Sequence, residues 1–435
     1  MPYIYTRNLV SMQKNIKLNA GFIANLCYQL TSIAGMFLMS PIMLKNYGKD
    51  VFVIWSIVNS ICALLFIVDF GITSMAAREI LKSVQTPNFF SWKSWKNFII
   101  FHNKWIAFFS LLLSLVFIVY LSHQNKLGTN FQNLLIFIFT LTGTIAVILS
   151  HQQIIKFQIF NKYSKALLIL AFIKIFETAV FLVLMMNSFN FIFIIFLINT
   201  IHLLQLFVLR HISNNSLPRR NSEQKIVTEM RFHGFNYISN VLYSASTSLG
   251  IHATFILQSL MLNPGEILVI LFSRMMVSPI RILSDALATG NFDKFIRSSL
   301  QIAPTIRKSS SPMAGLFKAL VLFASGYLLL LIFAGSFLMD LISYGESNLN
   351  LTLLILYGAA TLLDGAIVIY MQANISNGTQ GSKGTLYFSL TLLSLFLLIF
   401  LVEKLGIYGG VLSILLCDIV FFVFMAFSKL FRFQF

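Results

Sequence analysis

Long apolar stretches alternate with short polar ones along the whole chain. A helix that crosses the hydrocarbon core of a bilayer needs ~20 mostly apolar residues. Twelve stretches meet that requirement, at about 21–44, 51–70, 99–121, 131–150, 166–186, 190–209, 235–260, 266–287, 315–341, 349–372, 384–402 and 406–428. Period-two alternation is absent and runs of Leu, Ile and Phe dominate, so the pattern predicts helices rather than strands. The expected fold is all-α: a polytopic membrane protein of twelve transmembrane helices. Composition agrees, because 57% of the 435 residues are hydrophobic and only 10% are charged. Soluble domains carry about a quarter charged residues.

Charge changes the picture next. The net charge of +17 would suggest nucleic acid in a soluble protein. Here the positive charge lies mostly in loops, where it sets orientation. The two termini, the loops after every second span and the span ends that flank them hold 25 of the 31 Lys and Arg residues, and the other loops hold 4. That asymmetry places both termini in the cytoplasm and leaves only short loops outside. Residues 1–19 are polar and basic, without the apolar region and small-residue cleavage site of a secretory signal. The first hydrophobic segment is therefore expected to stay in the mature protein. Cys27, Cys62 and Cys417 all fall in apolar segments and read as packing residues.

An internal repeat organises the spans. NLCYQLTSIAG (25–35) resembles NVLYSASTSLG (240–250): Asn25 matches Asn240, Tyr28 matches Tyr243, and Gly35 matches Gly250. Both stretches open the first helix of a six-helix half. The expected domains are 1–210, a cytoplasmic linker at 211–230, and 231–435. Six spans per half give both halves the same orientation, a parallel pseudo-repeat. The two matching helices are also the most polar. Asn25, Tyr28, Gln29 and Ser32 share a face of span 1, and Asn236, Asn240, Ser244 and Thr247 share a face of span 7. Such stripes pack helices together or line a polar cavity. Their symmetry favours a cavity bounded by Asn25, Tyr28, Ser32, Asn240, Tyr243 and Thr247.

Charges inside spans are costly and face a bundle interior or water. Arg274, Ser278, Arg281 and Asp285 fall within about 40° of one line along span 8. Arg281 and Asp285 are spaced to pair, while Arg274 has no carboxylate within a turn. Lys174 and Glu177 are spaced to neutralise each other in span 5. Asp364 and Asp418 stand alone in apolar helices, either as partners for a buried cation such as Arg274 or as proton- or sodium-responsive sites. The seven histidines show no metal-ligand spacing, and His202 and His252 read as packed or hydrogen-bonded. No catalytic constellation, nucleotide-binding loop, cofactor site or metal site is evident.

One stretch carries more. In MSPIMLKNYGKDVFVIWSIVNSICALLFIVDFGITSMAARE (39–79), Asp-Phe-Gly ends an apolar run just before a positive charge. The protein-kinase reading of that tripeptide fails, because no Gly-rich loop or His-Arg-Asp loop accompanies it. Pro41, Tyr47-Gly48, Trp55, Asp69-Phe70-Gly71 and Arg78 together resemble the Wzx-type polysaccharide or O-antigen flippases of the multidrug/oligosaccharidyl-lipid/polysaccharide exporter superfamily. Twelve spans, inward termini and a six-plus-six repeat agree with that resemblance along the whole chain. Asp69, Gly71 and Arg78 then read as structural or gating residues at the inner mouth, with Lys174, Glu177 and Asp285.

The resemblance implies a non-enzymatic transporter of the bacterial inner membrane, serving lipopolysaccharide or capsule biosynthesis. It would move an undecaprenyl-pyrophosphate-linked oligosaccharide from the cytoplasmic to the periplasmic leaflet. Arg274 and Arg281 would attract the pyrophosphate through charge-assisted hydrogen bonds, and Asp364 or Asp418 would couple a proton or sodium ion. The implied partners are the lipid-linked oligosaccharide, membrane lipids, and a polysaccharide polymerase with its chain-length regulator; no nucleic acid is implied. Two other readings stand beside it. A surface-polysaccharide polymerase or ligase would also be polytopic and basic, but usually needs a large external loop. A multidrug or cation antiporter would share the architecture, but with acidic residues dominating its cavity.

Overall fold

A computed structural model describes residues 2–67, 92–123, 130–159, 162–216, 234–290, 312–377 and 381–430. Among these residues every regular element is helical. In chain order they are α1 (Pro2–Ala63), α2 (Trp92–His123), α3 (Asn130–Ile159), α4 (Tyr163–Met186), α5 (Phe191–Ser216) and α6 (Gly234–Ser248). A π-helical turn (Leu249–Ala253) leads into α7 (Thr254–Met261), followed by α8 (Pro264–Gly290), α9 (Pro312–Ser343), α10 (Leu351–Asn377), α11 (Lys383–Leu405) and α12 (Ile407–Leu430). Ten segments among the described residues are long and apolar enough to cross a membrane. Asp69, Gly71 and Arg78 lie outside the described residues, as does most of the expected linker.

The first of those segments, Ile23–Ala63, has 41 residues. Laid straight it would be ~60 Å long at 1.5 Å per residue, twice the hydrocarbon thickness. It breaks at Gly48, where φ is 79° and ψ 171°. That backbone region is essentially closed to residues with a Cβ. The break is pinned by the two residues that precede it. Asn46 Nδ2 donates to the Met185 carbonyl at 2.6 Å, and the Tyr47 hydroxyl donates to the Phe189 carbonyl at 2.5 Å. Gly48→Ala is expected to cost about 1–3 kcal/mol. The check is the melting temperature of the detergent-purified protein, and an unchanged value would show that the break tolerates a side chain.

Several expected outward connections sit together at one end of the molecule. Lys45, beside the break, lies 5.7 Å from the ring of Tyr344, which follows α9. Asn350, before α10, donates to the hydroxyl of Tyr408, at the start of α12, at 2.8 Å.

The helices pack as two groups. In the first, α1 lies along α4, and α3 along α5. In the second, α8 lies along α10, and α11 along both α6 and α12. The groups meet where α1 crosses α8. There Phe52 stacks on Phe272 with ring centres 5.6 Å apart, and the Ser40 hydroxyl contacts Met275 Sδ at 3.7 Å. One apolar core runs through this seam, including Met43, Ile57, Ile61, Phe272 and Met276. The outward faces are apolar too: Phe333 is 84% exposed and Leu111 69%. In water such faces would drive association; in a bilayer they meet lipid.

Span 7 departs from the plain helix expected over 235–260. A π-helical turn interrupts it at Leu249–Ala253. Gly250 falls inside that turn, whereas its repeat counterpart Gly35 sits in regular α-helix. The wider turn adds a residue, which rotates the remainder of the span by ~100° relative to an uninterrupted helix.

Candidate functional site

A cavity of about 560 Å³ lies where the two groups of helices face each other. Small-molecule sites typically occupy ~300–1,000 Å³. One wall comes from α1, α3, α4 and α5, with Ser32, Trp55, Thr140, Lys174, Glu177 and His202. The opposite wall comes from α6 to α8 and α10 to α12, with Thr247, His252, Arg274, Arg281, Asp364, Tyr387 and Asp418.

Arg274 reaches the cavity from α8. Its Nη2 donates to the Ile251 carbonyl of the π-helical turn at 3.1 Å, and its guanidinium lies 5.3 Å from the centre of the Phe255 ring. Among the described residues no carboxylate pairs with it. The guanidinium is thus oriented by a carbonyl and an aromatic face, while its charge is left uncompensated. Remaining N–H donors of such a fork suit a phosphate oxygen.

Two turns along α8, Arg281 is paired. Its Nη1 lies 3.3 Å from Asp364 Oδ2, and its Nε 3.9 Å from Asp285 Oδ2. This corrects one expectation: Asp364 is the partner of Arg281, not of Arg274. The i, i+4 spacing made Arg281–Asp285 the visible pair, but α10 packs against α8 and brings a nearer carboxylate. Asp364 in turn lies 3.5 Å from the Tyr387 hydroxyl, which also stands 3.1 Å from Asp418 Oδ1. One hydroxyl carries one proton, so it donates to only one of the two carboxylates at a time. Asp418 Oδ2 is buried and has no hydrogen-bond partner. The cluster of Arg281, Asp364, Tyr387 and Asp418 therefore holds more carboxylate oxygens than donors to satisfy them.

On the opposite wall Lys174 Nζ lies 2.6 Å from Glu177 Oε1, the pair expected from their spacing. His202 of α5 adds a third member, with Nε2 3.3 Å from Glu177 Oε2.

The expected cavity face is narrower than the polar stripes suggested. Ser32 and Thr247 line the cavity. Asn25, Tyr28, Asn240 and Tyr243 do not. Tyr28 packs beside a small core of Phe157, Leu167 and Leu170, and Tyr243 packs against Tyr387 with ring centres 5.8 Å apart. Asn25 and Asn240 are buried at 4% and 1% exposure. The physical reason is that α4 covers the outer part of the α1 stripe, and α11 covers that of α6. His252 was read as packed or hydrogen-bonded; it is packed, but its Nδ1 has no partner. Tyr387 was missed altogether. Its signal was slight: a tyrosine in an apolar helix needs a polar neighbour, but α11 also carries Thr385, Ser389, Thr391 and Ser394.

No group of three or more His, Cys, Asp or Glu residues among those described is placed to hold a metal ion.

No family model matches the chain, and no curated protein matches it either. Among solved structures, it is similar to the eukaryotic MATE transporter AtDTX14, with a TM-score of 0.54 and 13% identity, over 97% of this chain and 96% of that one. A multidrug resistance MATE family transporter of the MOP superfamily, solved in an inward-facing conformation, aligns with a TM-score of 0.47 and 13% identity over 94% of this chain and 96% of that one. The chain is a multi-pass membrane protein with the fold of a MATE transporter. The likeness to AtDTX14 extends over nearly the full length of both chains, and at this identity it speaks for the fold.

Proposed function

We propose that the protein is a flippase for a lipid-linked oligosaccharide, moving an undecaprenyl-pyrophosphate-borne glycan from the cytoplasmic to the outer leaflet of a bacterial inner membrane. The observation that carries this reading is Arg274, a cavity guanidinium with donors to spare and, among the described residues, no carboxylate to neutralise it. An anionic headgroup is the ligand such a charge selects. The cavity suits the pyrophosphate and adjoining sugar rather than the whole glycan, so the lipid tail stays in the bilayer during passage.

In this reading the chain has twelve spans. The break at Gly48 divides Ile23–Ala63 into two, and Gly234–Met261 adds another to the ten segments. Residues 1–210 and 231–435 form two six-helix halves that rock about the α1–α8 seam, with both termini in the cytoplasm. Asp418, the carboxylate that Tyr387 and Asp364 leave short of donors, takes up a proton or a monovalent cation to drive the cycle. A polymerase and a chain-length regulator act on the flipped product.

The test is the sidedness of lipid-linked oligosaccharide in a deletion strain, probed on intact spheroplasts with a membrane-impermeant lectin. Single units that accumulate and stay shielded until the membrane is opened support translocation. Units already exposed outside would mean that the missing step is polymerisation or ligation.

A second reading has its own observation. The excess negative charge of Asp364 and Asp418 suits a multidrug or cation antiporter. In that case the deletion strain would accumulate no lipid-linked units, and would instead retain a cationic dye such as ethidium.

A further inference from the structure

The wall formed by α1, α3, α4 and α5 carries a charge group that the proposed function leaves idle. Glu177 is buried, with its side chain 7% exposed, and both of its oxygens are engaged. Lys174 Nζ holds Oε1 at 2.6 Å and His202 Nε2 approaches Oε2 at 3.3 Å. The two nitrogen-bearing chains reach the cavity, at 27% and 20% exposure. One carboxylate thus serves two groups that are able to carry positive charge.

A second observation shows what the ring is poised to do. Asn199 stands three residues before His202, on the same face of α5. Its Oδ1 is buried and has no hydrogen-bond partner. That oxygen and His202 Nδ1 crowd the same spot on α3, lying 3.1 and 2.9 Å from where a Cβ on Gly143 would stand. An acceptor without a donor among the described residues therefore faces the same point of α3 as the ring nitrogen that Glu177 does not use, with no hydrogen bond between the two in this structure. A proton on Nδ1 is the donor it lacks, and Gly143 leaves room for the two to meet.

Among the described residues no other charged group pairs with these three. Glu177 and Lys174 face the ring from α4. Thr140, Gly143 and Thr144 line the wall from α3 without a titratable group. Tyr28 of α1 lies in electrostatic range of the Lys174–Glu177 pair. Across the cavity stand Arg274, Arg281, Asp364 and Asp418.

We propose that Lys174, Glu177 and His202 form a proton-linked anion subsite for a phosphodiester or pyrophosphate group. With the ring neutral, Lys174 neutralises Glu177. With a proton on Nδ1, the imidazolium donates to Asn199 Oδ1 and to Glu177 Oε2, and takes over the neutralisation. The Lys174 ammonium is then free to turn into the cavity and bind a phosphate oxygen. The proton and the anion each favour the binding of the other, as linkage requires. The ligand class rests on the lipid-linked cargo reading; the charge exchange rests on the geometry alone.

The experiment measures binding of dimethyl pyrophosphate to the full chain in lipid nanodiscs by calorimetry. This diester, with one methyl on each phosphorus, stays doubly charged at every pH of the series, so any pH dependence belongs to the protein. One linked proton makes wild-type affinity fall up to ~tenfold per pH unit as pH rises. His202→Gln is expected to bind weakly at every pH, without the slope, because the amide still donates to Glu177 but takes no proton. Lys174→Gln is expected to lose the gain at low pH. A flat wild-type profile overturns the proposal, as does a slope that survives in His202→Gln. Binding that is unchanged in Lys174→Gln but abolished in Arg274→Gln would place the anion at Arg274 alone. The subsite would then fall while the cargo reading stood. A wild type that binds no diester at any pH would remove both.

Discussion

Arg274→Gln is expected, on the proposed function, to lower glycan export by ~10–100-fold while leaving the protein folded in the membrane. Glutamine keeps a donor for the Ile251 carbonyl but removes the charge. Hydrogen bonds to charged groups contribute ~1.5–3 kcal/mol, and each 1.4 kcal/mol is about a factor of ten. Stability moves the other way or not at all. Among the described residues the guanidinium has no carboxylate partner, so its removal relieves an uncompensated charge rather than breaking a pair. The variant should therefore melt at or above the wild-type temperature. Arg274→Lys is expected to recover part of the export, because it restores the charge without the planar fork that carbonyl and phosphate both use. The assay is export in a deletion strain complemented with each variant at matched membrane levels. Wild-type export by Arg274→Gln would end the case for Arg274 as the headgroup anchor.

Asp364 and Asp418 should respond in opposite ways to the same change. Asp364→Asn removes the nearer partner of Arg281 and leaves Asp285 at 3.9 Å, on a side chain that is 38% exposed. Breaking one side of a buried ion pair costs ~3–5 kcal/mol. The cavity admits some water to this pair, whose side chains are 28% and 15% exposed, so the lower end, about 3 kcal/mol, is expected. Asp418→Asn removes the carboxylate whose Oδ2 has no partner. The amide oxygen still accepts from Tyr387, and no buried charge remains. Its melting temperature should hold or rise, while export stops responding to an imposed proton or sodium gradient. Export by Asp418→Asn that still tracks the gradient would rule this carboxylate out as the coupling group. Equal melting temperatures for wild type and Asp364→Asn would show that the Arg281–Asp364 contact contributes nothing net.

Parts of the site were legible in the chain because they depend on helical spacing alone. Lys174 and Glu177 at i, i+3 and Arg281 and Asp285 at i, i+4 announce their own contacts. The stripe on span 8 placed Arg274 on the same face as Arg281, and both line the cavity. Other parts join residues far apart in sequence. Tyr387 meets Asp418 across 31 positions, and His202 meets Glu177 across 25. No periodicity connects them. The polar stripes misled for a related reason. All of a stripe looks alike in sequence, but the N-terminal end of each is covered by a neighbouring helix. Asn25 and Tyr28 went under α4, and Asn240 and Tyr243 under α11, while Ser32 and Thr247 stayed on the cavity.

Hydropathy by itself determined that this is an all-helical membrane protein. Runs of ~20 apolar residues have no other stable form in lipid, where every backbone polar group must be satisfied within its own segment. It also determined which few residues bear charge at membrane depth. Only the tertiary structure decided which of those charges meet. Pairing Arg281 with Asp364, sharing Glu177 between Lys174 and His202, and leaving Arg274 without a carboxylate all result from how separate helices pack. A charge in lipid must find its partner in three dimensions, and the chain records only distance along one.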